Sequence, residues 1–372
     1  MDFRLSDEQR MFSDSTGRFL TDNYNFDTYL DAISNPDHNI ALRWQKMTEL
    51  GWMAAPFPEL VGGFGGSLVD IQLVARHLGE RLCVDPWLTH VVLPGKVLEF
   101  VNTPLALELL EGIVSGDHKM ALAALEVGES ADLSRIATRL SKQGQNWVLN
   151  GQKSMAFGAR DAKTLLVTAL DDSGTPVLLA LPCGLAGIEL DDYRVLDGSR
   201  AAEVLLTNVN VSESDILSKG SAALDATTRA MDIFTAAQCA DMFGAMSAVF
   251  QKTLEYARTR KQFGTSIGTF QVIQHYLVDM FIEVQQSESL VWMAGIRGDT
   301  ADTAERQLAV STAKAYLSKS AVAVAQKGIQ IHGGIGVTEE LDIGHYFRRI
   351  THYAAMYGGR DHHVSRCMSL SS

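Results

Sequence analysis

Cysteine is scarce: Cys83, Cys183, Cys239 and Cys367 are the only four in 372 residues, and no two form a C-x-x-C pair. That spacing argues against a disulfide framework or a structural zinc, and leaves buried free thiols in a reducing compartment, the cytoplasm, as the simplest account. Positive charge is short as well. Thirty-two Lys and Arg stand against 44 Asp and Glu, for a net charge of −12 and a pI near 5.3. Such a chain lacks the field that phosphate backbones and anionic bilayers require, which argues against nucleic-acid binding and polybasic membrane attachment. No run of about eighteen apolar residues occurs, so no spanning helix is expected. The start, MDFRLSDEQR, reads as the approach to a helix rather than as a basic leader before an apolar stretch. Several catalytic signatures are missing: no G-x-S-x-G elbow, no G-x-x-x-x-G-K-[ST] loop, no H-E-x-x-H and no G-x-G-x-x-G after a strand. A Rossmann dehydrogenase is thereby excluded.

What is present is an ordinary folding composition, 46% hydrophobic and 20% charged. A chain of 372 residues exceeds the size at which single cores stop growing, so two or three sub-domains are expected. Residues 1–118 read as helices. Ser6-Asp7-Glu8-Gln9 has the form of a capping box, with Met11, Phe12, Phe19 and Leu20 behind it as an apolar face. Helical stretches recur at 44–50 and 68–82, separated by Gly62-Gly63-Phe64-Gly65-Gly66, a loop because so much glycine does not stay helical.

From 119 to 215 the period changes. Short β-prone runs at 136–140, 147–149, 164–170 and 177–181 predict an antiparallel barrel or sandwich, with Asn150-Gly151 as a hairpin-type dipeptide. From 221 to 372 helices return: Ile273, Leu277, Met280 and Val284 make one stripe, and Ala309, Ala313, Ala315, Ala321, Ala323 and Ala325 allow close helix approach. The class is α+β, in the order helices, β domain, helical bundle.

Two segments of the last zone carry specific chemistry: Arg260-Lys261-Gln262-Phe263-Gly264 with Phe270-Gln271, and Gln330-Ile331-His332-Gly333-Gly334-Ile335-Gly336. Together they resemble the acyl-CoA dehydrogenase family. Leu5-Ser6-Asp7-Glu8-Gln9, the Gly62–Gly66 loop and Gly151-Gln152-Lys153 fit the same family in order. The resemblance implies N-terminal helices, a middle β domain and a C-terminal four-helix bundle. It also implies that Arg260, Gln262, Phe263, Phe270, Gln271, Gln330, Gly333 and Gly334 hold the adenine and pyrophosphate end of an FAD lodged mainly in a neighbouring subunit. The residue types suit that task, since a guanidinium grips a pyrophosphate with charge-assisted bonds and paired glycines admit close backbone approach.

The chain departs from the family where flavin-ring contacts and catalysis are expected. The family's T-E-P-x-x-G-S-D segment here reads Leu125-Glu126-Val127-Gly128-Glu129-Ser130-Ala131-Asp132, and its K-x-W-I-T segment reads Lys153-Ser154-Met155-Ala156-Phe157. The expected hydroxyl donors are lost. The usual Glu of a Y-E-G-T segment falls at Gly358, and the alternative base position, thirty residues before Gly264, falls at Phe234. Neither residue accepts a proton. Asp361 and Asp232 are the nearest carboxylates in sequence, expected to be solvent-facing or structural, and His362-His363 point too far apart to share a metal and are expected in an exposed or capping role.

The resemblance is nearest to small-subunit types such as those of pimeloyl-CoA dehydrogenases, with steroid-degrading two-gene enzymes as a parallel. It implies a base-less subunit of a hetero-oligomer. A homologous subunit would supply the Glu, FAD would be shared at the interface, an acyl-CoA would be desaturated at Cα–Cβ, and electrons would pass to an electron-transferring flavoprotein. Three alternatives stay open: a self-sufficient homo-oligomer with a relocated base such as Asp361, another flavin reaction such as a monooxygenase or elimination, and a flavin-free scaffold.

Overall fold

The computed structural model describes residues 4–129, 131–144 and 146–371. Six helices come first: α1 (Asp7–Asn23), α2 (Phe26–Ser34), α3 (Ile40–Glu49), α4 (Leu68–Glu80), α5 (Leu93–Val101) and α6 (Pro104–Val114). Eight strands follow: β1 (Met120–Ala123), β2 (Arg139–Gln143), β3 (Asn146–Phe157), β4 (Thr164–Asp171), β5 (Pro176–Pro182), β6 (Ile188–Arg194), β7 (Arg200–Val211) and β8 (Ile216–Lys219). The chain ends with α7 (Ser221–Thr259), a small hairpin of β9 (Lys261–Gln262) and β10 (Thr265–Ser266), then α8 (Gln271–Arg297), α9 (Thr303–His332), α10 (Asp342–Ala355) and α11 (Arg360–Ser371). The expected order of helices, sheet and helical bundle holds.

By density of contact the chain falls into two compact units. One gathers the residues up to Pro36, Leu68–Val84 and everything from Thr235 onward; the other gathers Asp37–Ser67 and Asp85–Phe234. The N-terminal helices are therefore divided, with α1, α2 and α4 in the unit of the bundle and α3, α5 and α6 in the unit of the sheet.

In the bundle unit, Ser6 Oγ accepts from Gln9 N at 3.1 Å while Gln9 Oε1 accepts from Ser6 N at 3.2 Å, the reciprocal capping that the sequence announces for α1. Helices α4 and α7 cross at unusually close range. A Cβ on Gly79 would lie 1.9 Å from the Asp241 carbonyl oxygen, and one on Gly244 would lie 2.0 Å from that of Arg76, so glycine at both positions lets the two backbones touch. Beside the crossing, Arg349 of α10 grips the Asp241 carboxylate through Nε, at 2.7 Å, and Nη2, both side chains being buried. The α8 stripe faces inward at Met280 and Val284, while Ile273 and Leu277, nearer the helix start, are half-buried.

In the other unit the strands run in the order β6-β7-β3-β2-β4-β5-β8, with β1 added alongside β4. The sheet is mixed rather than wholly antiparallel. β1 pairs parallel with β4 over Met120–Ala123 and Thr164–Val167, and β2 touches β4 in parallel at two residues. A long connection containing the β2–β3 hairpin joins β1 to β4, and such a crossover permits parallel pairing. Asn150-Gly151 is not a hairpin turn, which corrects the expectation. It lies inside β3 at a break in register against β7, where Asn150 Oδ1 accepts from Asn208 N at 2.8 Å. A Cβ on Gly151 would meet Thr138 Oγ1 at 2.5 Å, so this glycine serves close approach between strands. The loop at Gly62–Gly66 is as expected, with Gly62 and Gly65 left-handed at φ 81° and 71°.

Helix α7 stands out for its length and composition. It is 39 residues long and apolar enough by composition to cross a membrane, although interleaved Thr, Gln and Asp interrupt any pure apolar run. Within its most apolar stretch 89% of residues are buried inside the chain, as in the central helix of a folded core. All four cysteines are free thiols as expected, but only Cys83 and Cys239 are buried; Cys183 and Cys367 are half-buried, which corrects the expectation of burial for those two.

Candidate functional site

The two bundle segments singled out in the sequence meet at one end of the bundle unit. Arg260 follows the last turn of α7, its N–H donating to the Tyr256 carbonyl at 2.8 Å. The chain then reverses in the β9–β10 hairpin, where Gln262 faces Thr265 and Lys261 faces Ser266. The two turn residues, Phe263 and Gly264, are both left-handed at φ 54° and 84°, the requirement of the tight turn that matches strand twist. Glycine adopts this conformation freely; Phe263 does so against its own Cβ, at a cost of about 1–2 kcal/mol. The residue so held is 94% exposed, and its ring lies 6.2 Å from that of Phe270, edge-on. Ile267 N donates to Arg260 O at 2.9 Å and closes the loop before Gln271 opens α8.

The second segment ends α9. Gln330 is exposed, and Gly333 stops the helix at φ 68°, ψ −145°, a backbone conformation essentially confined to glycine. Between the segments lies a contact that motif reading did not assign. The ring of His332 stacks on Tyr256, centroids 4.3 Å apart and planes inclined by 25°, so a residue one turn before Arg260 is packed on the residue just before Gly333. A signal was present: Tyr256 lies four residues, about one helical turn, before Arg260, and His332 sits inside the quoted motif.

This edge fits a pyrophosphate-bearing ligand. A Cβ on Gly264, Gly333 or Gly334 would meet nothing of this chain within 4 Å, so internal packing does not account for the glycine at 334. Arg260 is exposed, and among the described residues its guanidinium has no hydrogen bond or ion pair. A free guanidinium beside uncovered glycine backbone is the donor set that a pyrophosphate takes up.

The β-domain segments are closed by contrast. Lys153 is fully buried, and its Nζ donates to Glu126 Oε1 at 2.5 Å and to Thr168 Oγ1 at 3.0 Å. The same carboxylate accepts from Thr138 N at 3.1 Å and from its Oγ1 at 3.2 Å, and Ser154 Oγ donates to the Glu126 carbonyl at 3.0 Å. Burial pulls the Lys153 ammonium down to about 8, against the opposing pull of Glu126. Met155 is left-handed at φ 49°, and Ala156 and Phe157, where the family has Ile and a hydroxyl donor, belong to the core. Ser130 lies outside the described residues.

The positions expected for a base hold none. Phe234 is 1% exposed, and Gly358 is a buried glycine at φ 99° following Tyr357 at φ 53°. Lys314 steadies this turn from α9, its fully buried Nζ donating to the carbonyls of Tyr353 and of Met356, the latter at 3.2 Å. With no carboxylate beside it among the described residues, burial lowers Lys314 to about 8. Asp361 is solvent-facing, its side chain 95% exposed beside Arg360, while Asp232 is buried. Of the two adjacent histidines, His362 is exposed but His363 is buried, which corrects the expectation of an exposed or capping role. Its Nδ1 lies 3.2 Å from Ser311 Oγ, and burial lowers it to about 3. Among the described residues no three His, Cys, Asp or Glu side chains gather as metal ligands.

Comparison with known proteins identifies the class to which this helix–sheet–bundle fold belongs. The profile described as acyl-CoA dehydrogenase, C-terminal domain, matches residues 224–366, and that of the N-terminal domain matches residues 6–117. The chain belongs to the acyl-CoA dehydrogenase family, FAD-dependent oxidoreductases that act on CH–CH bonds. It is 28% identical over 360 residues to the probable acyl-CoA dehydrogenase YngJ of Bacillus subtilis, covering 94% of this chain and 93% of that one. Two solved structures share the fold. One is the ChsE4-ChsE5 complex from Mycobacterium tuberculosis, with TM-score 0.89, 23% identity and coverage of 99% and 98%. The other is the FAD complex of PigA, with TM-score 0.91, 22% identity and full coverage of both chains.

Proposed function

We propose that this chain is the base-less subunit of a hetero-oligomeric acyl-CoA dehydrogenase that works in the cytoplasm. A homologous subunit contributes the catalytic carboxylate, and FAD lies at the interface between the two. The observation that carries this reading is the open edge at Arg260, Phe263 and Gly334 in a chain without a proton acceptor at either base position. FAD, when bound, supplies the acceptor for the hydride that leaves the acyl Cβ. Arg260 grips the pyrophosphate, the uncovered backbone at Gly333 and Gly334 lets it come close, and Phe263, Phe270, Gln262, Gln271 and Gln330 surround the adenine end. Removal of the Cα proton falls to the partner, since a positioned base contributes roughly 10²- to 10⁴-fold and none stands at Gly358 or Phe234. Desaturation of an acyl-CoA, of the lipid- or steroid-degrading kind, then delivers electrons to an electron-transferring flavoprotein.

A relocated base at Asp361 is disfavoured by its exposure, since an open carboxylate lacks the burial that tunes a base toward neutral pH. The deciding experiment purifies the chain alone and together with the product of an adjacent acyl-CoA dehydrogenase gene, and counts flavin. About one FAD per two chains, only on co-expression, is expected; one FAD per chain in the isolated protein overturns the reading.

A further inference from the structure

We infer that Tyr256 and His332 are positioning residues of the flavin edge, a stacked joint that holds the Arg260 hairpin in register with the Gly333-Gly334 turn. The inference rests on the shared-FAD reading for its cofactor consequence, and on geometry for the joint itself. The hairpin and the turn belong to segments far apart in sequence, and each is locally left-handed, at Phe263 and Gly264 in one and Gly333 in the other. Neither a β-turn of two residues nor the end of a helix fixes its own position relative to the other. The rings of Tyr256 and His332, 4.3 Å apart and nearly parallel, supply that fixation.

His332 suits the task because it is itself anchored. It is 6% exposed, and its Nδ1 lies 2.8 Å from the Gly328 carbonyl of its own helix, which fixes both tautomer and ring plane. Tyr256 passes the position on, since Arg260 N donates to the Tyr256 carbonyl and Ile267 N to the Arg260 carbonyl. A displaced His332 ring thus disturbs the backbone that aims the guanidinium. Neither side chain donates to the ligand in this scheme.

The charged groups facing the imidazole are few. Lys252, one turn before Tyr256 on α7, opposes a second positive charge, and Asp342 at the start of α10 favours one; the two pair with each other at 2.8 Å. Burial is the largest influence and keeps the ring neutral, below the ordinary histidine value of 6.5. The sign follows from linkage: the joint is complete above about pH 6.5, and acid works against it because a freed histidine takes up a proton more readily than the stacked one.

The test compares His332→Ala with His332→Phe, the second keeping a flat ring and removing the titration. In the complex with its partner subunit, His332→Ala is expected to weaken FAD retention about 2- to 10-fold, the span of an aromatic pair. His332→Phe should stay within about twofold of the unaltered protein, and should lose the acid-induced FAD release expected of the unaltered complex below about pH 6.5. Amide hydrogen exchange of the chain alone provides a readout independent of FAD: exchange at Ile267 should quicken in the Ala variant and not in the Phe variant. Unchanged FAD retention and exchange in His332→Ala overturns the joint, as does a Phe variant as weak as the Ala one. A complex without FAD in the unaltered protein sinks the shared-flavin reading instead, and hydrogen exchange then still decides whether the joint exists.

Discussion

The chain carries two sets of family segments, and they have gone opposite ways. At the end of the bundle, the Arg260 guanidinium has no partner among the described residues, Phe263 is held out in a conformation that costs energy, and Gly334 leaves its surroundings open. In the β domain, Glu126, Lys153, Ser154, Thr138 and Thr168 satisfy one another, and Phe157 has joined the core. Polar groups left unsatisfied in a folded protein are costly where buried and purposeful where exposed in a defined arrangement. The bundle edge is therefore read as a surface made for another molecule, and the β-domain segments as structure.

That contrast is open to attack. The largest effect is expected on the closed side. Glu126→Ala leaves Lys153 buried without its carboxylate and should cost about 3–5 kcal/mol of stability in urea denaturation; a loss below about 1 kcal/mol would mean that the network is not closed to water. A second buried ammonium sharpens the point, because Lys314 has carbonyls and no carboxylate. Its value falls from 10.5 to about 8, so the unfolded chain binds the extra proton between those values and stability should rise with pH across that window. Subtracting the pH profile of Lys314→Met isolates this rise, and a flat difference would contradict it.

At Arg260 the order reverses, with binding affected and folding spared. Arg260→Gln should weaken FAD in the complex by roughly 10- to 150-fold, the worth of about 1.5–3 kcal/mol for charge-assisted bonds, while the unfolding midpoint of the chain stays put. Smallest are the glycines. Gly333→Ala should cost about 1–3 kcal/mol because of its backbone angles. Gly334→Ala should leave chain stability within about 0.5 kcal/mol, any effect falling on flavin capture. Equal stability losses at the two positions would remove the case that Gly334 is kept for a ligand.

Much of this was legible because it is local. The Ser6–Gln9 capping box, the change of period near 119, the inward turn of the α8 stripe at Met280 and Val284 and the Gly62–Gly66 loop all depend on neighbours within a few residues. What was not legible depends on pairing across the chain. Asn150-Gly151 has the composition of a hairpin, yet β7 pairs along both sides of it and Thr138 presses on it, so tertiary packing overrode a local preference. The parallel partners of β4 could not be read from any one strand. His363 was expected at the surface because an adjacent histidine pair says nothing of what Ser311 brings to one of its members. The edge residues Arg260 to Gln271 and Gln330 to Gly334 were visible as motifs, whereas the Tyr256–His332 stack between them was not, since it joins residues from two helices.

The crossing of α4 and α7 has a consequence for how this sequence can change over time. Alanine, the smallest possible step, would put a methyl carbon 1.9 Å from one carbonyl oxygen at position 79 and 2.0 Å from another at position 244, and the obstacle in each case is backbone, which has no rotamer to turn aside. One of those carbonyls belongs to Asp241, whose carboxylate Arg349 already holds, so the strand of least resistance is closed as well. A saturation library of this chain should therefore show two nearly empty columns, far apart in the sequence and silent about chemistry.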